Sequence, residues 1–491
     1  MLKQHRHALD GTHVSDGGSE SCAASGIRTG RHAATRWRSK ARNREYIRHM
    51  PLLFLLAALA ALMACARPIP SRRESTATSA PHTTVLISLD GYHADYLQRP
   101  NAVRLRELAA RGTRLERLVP VFPTKTFPNH YTMVTGLYPE HHGIIANTMY
   151  DRDIGATFTL SDTLVARDPH WWGGEPIWNT AERQGVKTAA MFWPGSDYEI
   201  NGRRPSWYTP FNNRYPDAER ITQVLSWLDL PAKTGPRLIT LYYSTTDDAG
   251  HSHGPASPQV DTAIGHVDRL LGTLIDGIGA RGLTDRVNLL VVSDHGMVDV
   301  DTSRLVFIDD VINVVDAEIV DWSPVTAVTP KPGKLEAVYA GLRRAPHMSV
   351  YRKDSVPARF HYRAHPRITP LVLVADEGWT ITTHARAARN RVRGGTHGFD
   401  HALPSMGALF VAAGPDIAPG RVLPPTQNIH VYELLAALLG VKTAPNDGSP
   451  DSLRAVLRRS RRSECAQKDY LSPFTNPSNA ARCASAAATG P

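Results

Sequence analysis

Short apolar runs alternate with stretches of helical periodicity along most of the chain, between residues 84 and 445. Five runs have the length and apolar composition of buried strands: "TTVLISLDGY", "VKTAAMFW", "RLITLYYSTTDDAGH", "VNLLVVSDHG" and "GALFVAAGP". Helices are predicted at 101–112, at 258–278 and in "HVYELLAALLG", where Gly440 is the stop signal. This alternation is typical of an α/β fold with a central, mostly parallel sheet flanked by helices.

The pattern changes between about 300 and 390, where short strands such as "MSVYRK" and "LVLVADEGWTITT" replace the long alternation. We interpret this stretch as a small β-rich subdomain inserted into a catalytic domain at 84–448. Residues 449–491 are rich in Arg, Ser and Ala and are predicted to form a C-terminal tail.

The positive charge of the chain is unevenly distributed. The net charge is +10, and residues 1–49 hold ten Lys/Arg against four Asp/Glu, so +6 of it lies there. The remainder carries 46 basic and 42 acidic residues. The sequence therefore does not indicate a nucleic-acid-binding domain in the folded part.

The segment before residue 84 has the features of an export signal. Residues 50–64 contain an uncharged apolar run that is too short for a membrane span and suits a signal-peptide core. The run ends in "LMAC", which resembles a bacterial lipoprotein signal with Cys65 as the lipidated residue; an ordinary cleaved signal is the alternative. With residues 65–83 as a tether, we expect an exported bacterial protein, either periplasmic or a membrane-anchored lipoprotein.

The two ends of the chain carry two further expectations. Residues 1–49 are predicted to be a disordered basic extension, and Met50 is an alternative start. Cys465 and Cys483 remain as a pair near the C-terminus, which suggests a disulfide in an exported protein. Two free thiols are the alternative.

Carboxylates and imidazoles follow three of the predicted strands at the point where each strand ends. In open α/β sheets, sites form at the carboxyl ends of the strands. One such Asp alone is more often a turn former or a helix cap, but three strand ends together indicate a metal centre. With a His from the Gly-rich "GGTHGFD", the six candidates are Asp90, Asp247, His251, Asp294, His295 and His397. Two Zn²⁺ ions with three protein ligands each would keep an open position, as catalytic zinc requires.

Thr126 lies in "FPTKTFPNHYTMVTG", where Pro128 at an early helical position predicts a helix N-terminus. Backbone N–H groups and the helix dipole favour negative charge there, including a phosphoryl group attached to the Thr. A Thr hydroxyl is a poor nucleophile unless metal coordination lowers its pKa. Thr126 is therefore a candidate nucleophile beside the six predicted ligands, and a plain N-cap is the alternative.

The combined motifs resemble the nucleotide pyrophosphatase/phosphodiesterase family of the alkaline phosphatase superfamily, over about residues 84–448. The matching stretches, in the family's order, are "LISLDGY", "FPTKTFPNHYTMVTGLYPEHHGIIANTMYD", "GEPIW", "WPGSDYEING", "TDDAGHSHGP", "VVSDHGM", "GTHGFD" and "NDG". The resemblance implies an alkaline phosphatase-like fold. It also implies a small-molecule nucleotide substrate and hydrolysis of phosphodiesters or pyrophosphates.

The resemblance also assigns roles to individual residues. Thr126 would be the nucleophile that forms a phosphothreonine, and Asn147 would hydrogen-bond a non-bridging phosphoryl oxygen. One zinc would take Asp247, His251 and His397, and the other would take Asp90, Asp294 and His295. Phe127 and Tyr242 would sandwich a nucleobase with Leu160 beneath it; plain core packing is the alternative for these three side chains.

Other functions are distinguished by what surrounds the nucleophile. A phosphomonoesterase would need extra cationic donors for a dianion, whereas the apolar side chains predicted here suit the arm of a diester. Lys125 is a candidate donor, but a residue next to the nucleophile is expected to point away. A phospholipid-headgroup diester is an alternative substrate. A sulfatase is disfavoured because "FPTKT" lacks the C-x-P-x-R frame, and a non-enzymatic zinc-binding lipoprotein is disfavoured because Thr126 and Asn147 are intact.

Overall fold

The computed structural model describes residues 81–458. The predicted extension (1–49), the signal peptide (50–64), Cys65 and the Cys465–Cys483 pair lie outside the described residues and stay predictions. Within residues 81–458, no helix combines the length and the apolar character that a bilayer crossing requires.

The centre of the molecule is one eight-stranded sheet. Its strands are β1 (Thr83–Leu89), β2 (Thr113–Leu115), β3 (Thr188–Met191), β4 (Trp207–Thr209), β5 (Leu238–Tyr243), β6 (Val287–Val292), β7 (Phe410–Ala413) and β8 (Arg421–Leu423). The spatial order is β8-β2-β7-β6-β1-β5-β3-β4. All pairings are parallel except those of β7 with β6 and with β2, so β7 alone runs against the other seven strands. The predicted mostly parallel α/β sheet is confirmed, and the fifth predicted strand is the reversed one.

Eight helices of seven or more residues lie within the described range. They are α1 (Val103–Arg111), α2 (Thr126–Thr135), α3 (Ile177–Arg183), α4 (Asp217–Leu228), α5 (Thr245–His253), α6 (Pro258–Ala280), α7 (Leu335–Leu342) and α8 (Val431–Leu439). Shorter helices span Pro139–His142, Thr163–Ala166 and His384–Arg389. The three predicted helices correspond to α1, α6 and α8, and α8 ends at Gly440, which has the left-handed φ of 67° that favours glycine.

Both faces of the sheet are covered, which explains the nearly unbroken apolar runs of its central strands. Side chains alternate along β1, so Leu86 packs in one core with α2, α3 and α8, while Val85 and Ile87 pack in the other with α1, α4 and α6. The register aligns Ser88 of β1 with Tyr242 of β5 and with Val292 of β6. The carboxyl ends of these three strands therefore lie level at one edge.

A separate four-stranded antiparallel sheet forms within the predicted insertion. Its strands, in spatial order, are Ala317–Ile319, Val325–Pro330, Leu371–Ala375 and Met348–Arg352. With α7 and the paired strands Leu305–Phe307 and Thr380–Thr382, it encloses a hydrophobic core of its own. The β-rich subdomain of the predicted fold class is thus present.

Three further strand pairs complete the strands within the described residues. They are Leu118–Val119 with Thr426–Gln427, Thr148–Asp151 with Ala156–Thr159, and Val298–Asp299 with Gly395–Thr396. The second pair is a hairpin that we call the 148–159 hairpin. Asn147 directly precedes it.

Candidate active site

The predicted metal ligands converge at the carboxyl edge of the sheet. Asp90 follows β1 and Asp294 with His295 follows β6, its neighbour, while Asp247 and His251 lie on α5, which begins just after β5. His397 follows the short strand Gly395–Thr396. Because β6, β1 and β5 are adjacent and parallel, their ends bring together residues that lie about two hundred positions apart in the sequence.

The six side chains contact one another closely. His295 Nε2 is 3.0 Å from Asp294 Oδ2 and 3.5 Å from Asp90 Oδ1. The rings of His295 and His397 are stacked with centroids 3.5 Å apart. His251 Nε2 is 3.1 Å from His397 Nε2 and 3.4 Å from Asp247 Oδ2. All six therefore belong to one contiguous cluster.

The three histidines are all oriented in the same way. Each donates its Nδ1–H to a backbone carbonyl: His251 to Gly395, His295 to Gly296 and His397 to Thr124. The Nε2 atoms are therefore left as acceptors that face the cluster, and those of His251 and His397 face each other. Such an arrangement suits a shared cation, and backbone bonds of this kind commonly orient histidines that ligate metals.

The carboxylates point to the same conclusion. Asp90 Oδ1 and Asp247 Oδ1 are buried and have no hydrogen-bond partner in the described protein, and the buried Asp294 Oδ2 has close contacts to imidazole nitrogens of His295 and His130 but no hydrogen bond. Burial, together with the Asp294 carboxyl, raises the pKa of Asp90 well above its ordinary value, and burial raises the pKa of Asp247. A divalent cation would satisfy the free oxygens and offset the cost of burying these charges. The residues present thus fit imidazole-and-carboxylate coordination of the kind that zinc uses.

The distances between the donor atoms group the residues of the cluster differently from the two predicted ligand sets. Asp247, His295 and His397 place donor atoms within 4.8 Å of one another, and so do Asp90, His130 and Asp294. His295 lies between the two groups because it contacts both Asp294 and His397. The partition of the ligands between two ions remains a prediction.

His130 is a member of this cluster that the sequence interpretation missed. It donates Nδ1–H to the Thr126 carbonyl at 2.9 Å and accepts from the Ser88 hydroxyl through Nε2 at 2.8 Å. Nδ1 also lies 3.4 Å from Asp294 Oδ2. Burial lowers the pKa of His130, which keeps the ring neutral. With both nitrogens engaged, His130 ties the start of α2 to Ser88 of β1 and lies against Asp294.

Thr126 is the first residue of α2, and the N-cap is Lys125, so the Thr side chain does not cap the helix. Its Oγ1 lies 3.4 Å from His295 Nε2 at the positive end of the helix dipole. Asn147 Oδ1 accepts the Phe127 N–H at 3.0 Å. This bond fixes the amide of Asn147 so that its Nδ2–H₂ group remains as the donor. The ammonium group of Lys125 forms an ion pair with Asp321 of the insertion.

The predicted nucleobase residues differ in their exposure. Phe127 is half-buried against Phe158, with ring centroids 5.8 Å apart, and Leu160 is 46% exposed just after the 148–159 hairpin. Tyr242 donates its hydroxyl to Asp90 Oδ2 at 2.6 Å, so its polar end belongs to the ligand cluster. Phe211, which the sequence interpretation did not single out, is 51% exposed with its ring 6.3 Å from that of Tyr242. It offers an open aromatic face beside the site.

Comparisons with known proteins identify the family of the chain. The family model of type I phosphodiesterase/nucleotide pyrophosphatase matches residues 84–400. Venom phosphodiesterase 2 of Crotalus adamanteus is 38% identical over 405 residues, which cover 80% of this chain and 50% of that protein. Ectonucleotide pyrophosphatase/phosphodiesterase family member 1 of Mus musculus is 40% identical over 388 residues, covering 77% of this chain and 43% of that protein.

Solved structures give the same result. Murine ectonucleotide pyrophosphatase/phosphodiesterase 5, as an inactive variant in complex with AMP, matches with a TM-score of 0.73 and 34% identity. The match covers 77% of this chain and all of that one. The chain spans about half the length of the curated relatives first named above. By the family model, by its curated relatives and by its fold, the chain belongs to the type I phosphodiesterase/nucleotide pyrophosphatase family, within the alkaline phosphatase superfamily.

Proposed function

We propose that the chain is a two-zinc phosphodiesterase/pyrophosphatase that hydrolyses nucleotide phosphodiesters or pyrophosphates to nucleoside monophosphates. The observation that carries the proposal is the position of Thr126. Its hydroxyl lies at the N-terminus of α2 and 3.4 Å from His295, against a cluster of buried carboxylate oxygens that lack protein partners. A hydroxyl that only capped or packed would have no use for such surroundings.

The roles of the protein groups follow from their placement. Asp247, His251 and His397 would hold one ion, and Asp90, Asp294 and His295 would hold the other. Bound zinc would supply Lewis acidity, which lowers the pKa of the Thr126 hydroxyl and of water and neutralises charge on the phosphoryl group. The Nδ1 bonds of the three histidines to carbonyls keep their Nε2 atoms available throughout.

The reaction would proceed in two displacements. Thr126 Oγ1 forms a bond to phosphorus while the bond to the leaving alcohol or nucleotide breaks, which gives a phosphothreonine. Water then forms a bond to phosphorus, the Oγ1–P bond breaks, and the monophosphate leaves with the Thr hydroxyl restored. The Asn147 amide donates to a non-bridging oxygen, where charge accumulates, at the positive end of the α2 dipole.

The walls of the site favour a diester over a monoester. Phe127, next to Thr126, and Phe211, whose ring lies 6.3 Å from that of Tyr242, present apolar surface that suits a nucleoside arm, and the exposed Leu160 would extend it. Tyr242 would contribute its ring to the same wall, although its hydroxyl is bound to Asp90. Lys125, the cation next to the nucleophile, is engaged with Asp321 and does not serve a phosphate dianion. A phosphomonoesterase therefore remains the second candidate, and a phospholipid headgroup is an alternative diester.

The cellular location is proposed from sequence features alone. The apolar run in 50–64 and the "LMAC" that ends at Cys65 support export as a periplasmic or membrane-anchored lipoprotein of a bacterium.

Kinetics with the zinc-loaded protein test the proposed function. We expect a strong preference in kcat/KM for the nitrophenyl ester of a nucleoside monophosphate over nitrophenyl phosphate. Thr126→Ala should abolish turnover at unchanged zinc content, whereas Thr126→Ser, which keeps a hydroxyl, should retain measurable activity. A preference for the monoester would make the protein a phosphatase. Turnover by Thr126→Ala would remove the nucleophile assignment.

A further inference from the structure

The insertion contacts the phosphoryl pocket through a small set of buried side chains. Phe360 stacks on Phe122 with ring centroids 4.1 Å apart, and Tyr362 packs edge-on against the same ring at 5.2 Å. Phe122 lies four residues before Thr126. Lys125, at the N-cap of α2, is paired with Asp321. The insertion thus braces the segment that carries the nucleophile.

A second group of contacts reaches the segment that carries Asn147. Tyr362 is 4% exposed and donates its hydroxyl to the Ile145 carbonyl at 3.2 Å. Among the described residues, this hydroxyl is the only hydrogen-bond donor to that carbonyl. Arg367, 9% exposed, donates to the Gly143 carbonyl at 2.7 Å and forms an ion pair with Asp151. These three contacts lie on both sides of Asn147.

The guanidinium of Arg367 has little freedom to move. Besides Gly143 and Asp151, it donates to the carbonyls of Trp171 at 2.8 Å and His170 at 2.7 Å, and it stacks over the Trp171 ring at 4.7 Å. Gly143 has a φ of 81°, and a Cβ built there would lie 2.7 Å from Arg367 Nη1. The close approach of backbone and guanidinium therefore requires glycine.

These contacts all hold the segment that carries the side-chain amide of Asn147. Asn147 is tied to α2 only through its Oδ1, which accepts the Phe127 N–H, and its own backbone lies in the 143–151 segment that Tyr362 and Arg367 hold. We propose that Tyr362 and Arg367 are positioning residues for Asn147, and that the insertion thereby sets the geometry of the phosphoryl pocket. This inference rests on the proposed role of Asn147 toward a non-bridging oxygen.

Phosphorothioate diesters make the position of Asn147 measurable. Replacing one non-bridging oxygen by sulfur, a poor hydrogen-bond acceptor, gives Rp and Sp diastereomers of a nucleoside nitrophenyl phosphorothioate. A donor fixed on one side of the phosphorus discriminates between them, and a misplaced donor does so less. A general loss of folded protein lowers both rates equally and leaves their ratio unchanged.

The variants are Tyr362→Phe and Arg367→Lys, compared with Asn147→Ala, in the full zinc-loaded chain. Removal of one oxyanion donor typically costs about 100-fold in kcat, which we expect for Asn147→Ala together with a collapse of the Rp/Sp ratio. Tyr362→Phe removes a single hydrogen bond and should lower kcat about fivefold. Arg367→Lys should lower it further, and in both variants the ratio should move toward that of Asn147→Ala.

A matched control and a double-mutant cycle complete the test. Tyr243 is also buried and donates its hydroxyl to a backbone carbonyl, that of Asp217, on the opposite side of the sheet. Tyr243→Phe should leave the ratio as in the wild type. In the background of Asn147→Ala, Tyr362→Phe should cause almost no further loss of kcat, because the positioned donor is already gone.

The outcomes separate the two levels of the hypothesis. A wild-type chain without diesterase activity, or an unchanged ratio in Asn147→Ala, would overturn the proposed function and this inference with it. A collapsed ratio in Asn147→Ala with wild-type ratios in Tyr362→Phe and Arg367→Lys would overturn only the inference. If Arg367→Lys does not fold, the Tyr362→Phe ratio alone decides between support and rejection.

Discussion

The ion pair between Lys125 and Asp321 gives a quantitative test of how the insertion supports Thr126, the proposed nucleophile. The two side chains are only 7% and 14% exposed, and they lie 196 residues apart in the sequence. Asp321→Asn keeps the side-chain oxygen that accepts the Trp322 N–H and removes only the charge. Lys125 then remains as a buried cation without a counter-charge next to Thr126.

The expected loss follows from the burial of the pair. Removing one partner of a buried ion pair typically costs about 3–5 kcal/mol, because the remaining charge is desolvated and uncompensated. Replacing both partners by apolar residues of similar volume is often neutral, so Lys125→Met with Asp321→Leu should lie within about 1 kcal/mol of the wild type. The exposed pair of Arg454 and Asp451 is the control, and Asp451→Asn should cause no measurable loss.

Denaturant unfolding of the zinc-loaded variants at neutral pH provides the assay, with the free energy of unfolding taken from the transition midpoints and slopes. We expect the single variant to be the least stable and the double variant to recover most of the loss. An Asp321→Asn protein within about 1 kcal/mol of the wild type would refute it, since a truly buried pair cannot be broken at so small a cost. A double variant as unstable as the single one would refute it equally.

Three further outcomes are expected. Burial lowers the pKa of His142 to about 3, below its unfolded value of 6.5. The unfolded state therefore binds the proton first, and the free energy of unfolding should fall as the pH drops from 6.5 toward 3, by about 1.4 kcal/mol per pH unit. His142→Gln should flatten the stability profile over that range. Chelation should lower the melting temperature and added zinc should restore it, because ligands at 1,000 times their Kd stabilise by about 4 kcal/mol; unchanged melting with zinc absent would contradict the metal centre. Phe211→Ala should raise KM for a nucleoside diester and leave KM for methyl nitrophenyl phosphate unchanged, and equal effects on both substrates would remove Phe211 from the nucleoside wall.

The sequence predicts those parts of the site that depend on local patterns. A buried parallel strand appears as an unbroken apolar run, and the first polar residue after it marks the carboxyl edge, which locates Asp90 and Asp294 without knowledge of the strand order. His251 follows Asp247 by four residues, so a helix after the strand places both on one face. Such periodicities act over a few residues, which is why single-sequence reasoning is sensitive to them.

The parts that were missed depend on contacts between distant segments. The reversal of β7 is set by the path of the chain after the insertion, and its apolar run looks like those of the parallel strands. His130 does carry a local signal, since it lies four residues after Thr126 on the same face of α2, but its role depends on Ser88 and Asp294. Phe211 lies in an irregular loop between β4 and α4, where no periodicity marks a wall residue.

The residues proposed for catalysis and the residues proposed to contact the substrate arm lie in different parts of the structure, and there is a physical reason for this. Asp90, Asp294, His295 and Thr126 lie at strand ends and at a helix start that the two cores of the sheet hold in place, and the three ligand candidates are at most 1% exposed. Phe211 and Leu160 lie on loops and are about half exposed. Exposed side chains add little to the free energy of folding. Substitutions at these two positions would therefore change which substrate arm is bound at little cost in stability. Asn147 differs from both sets of residues. It lies on a loop, but its proposed role requires a position as well fixed as that of the residues at the strand ends. The buried contacts of Tyr362 and Arg367 supply that precision from outside the sheet.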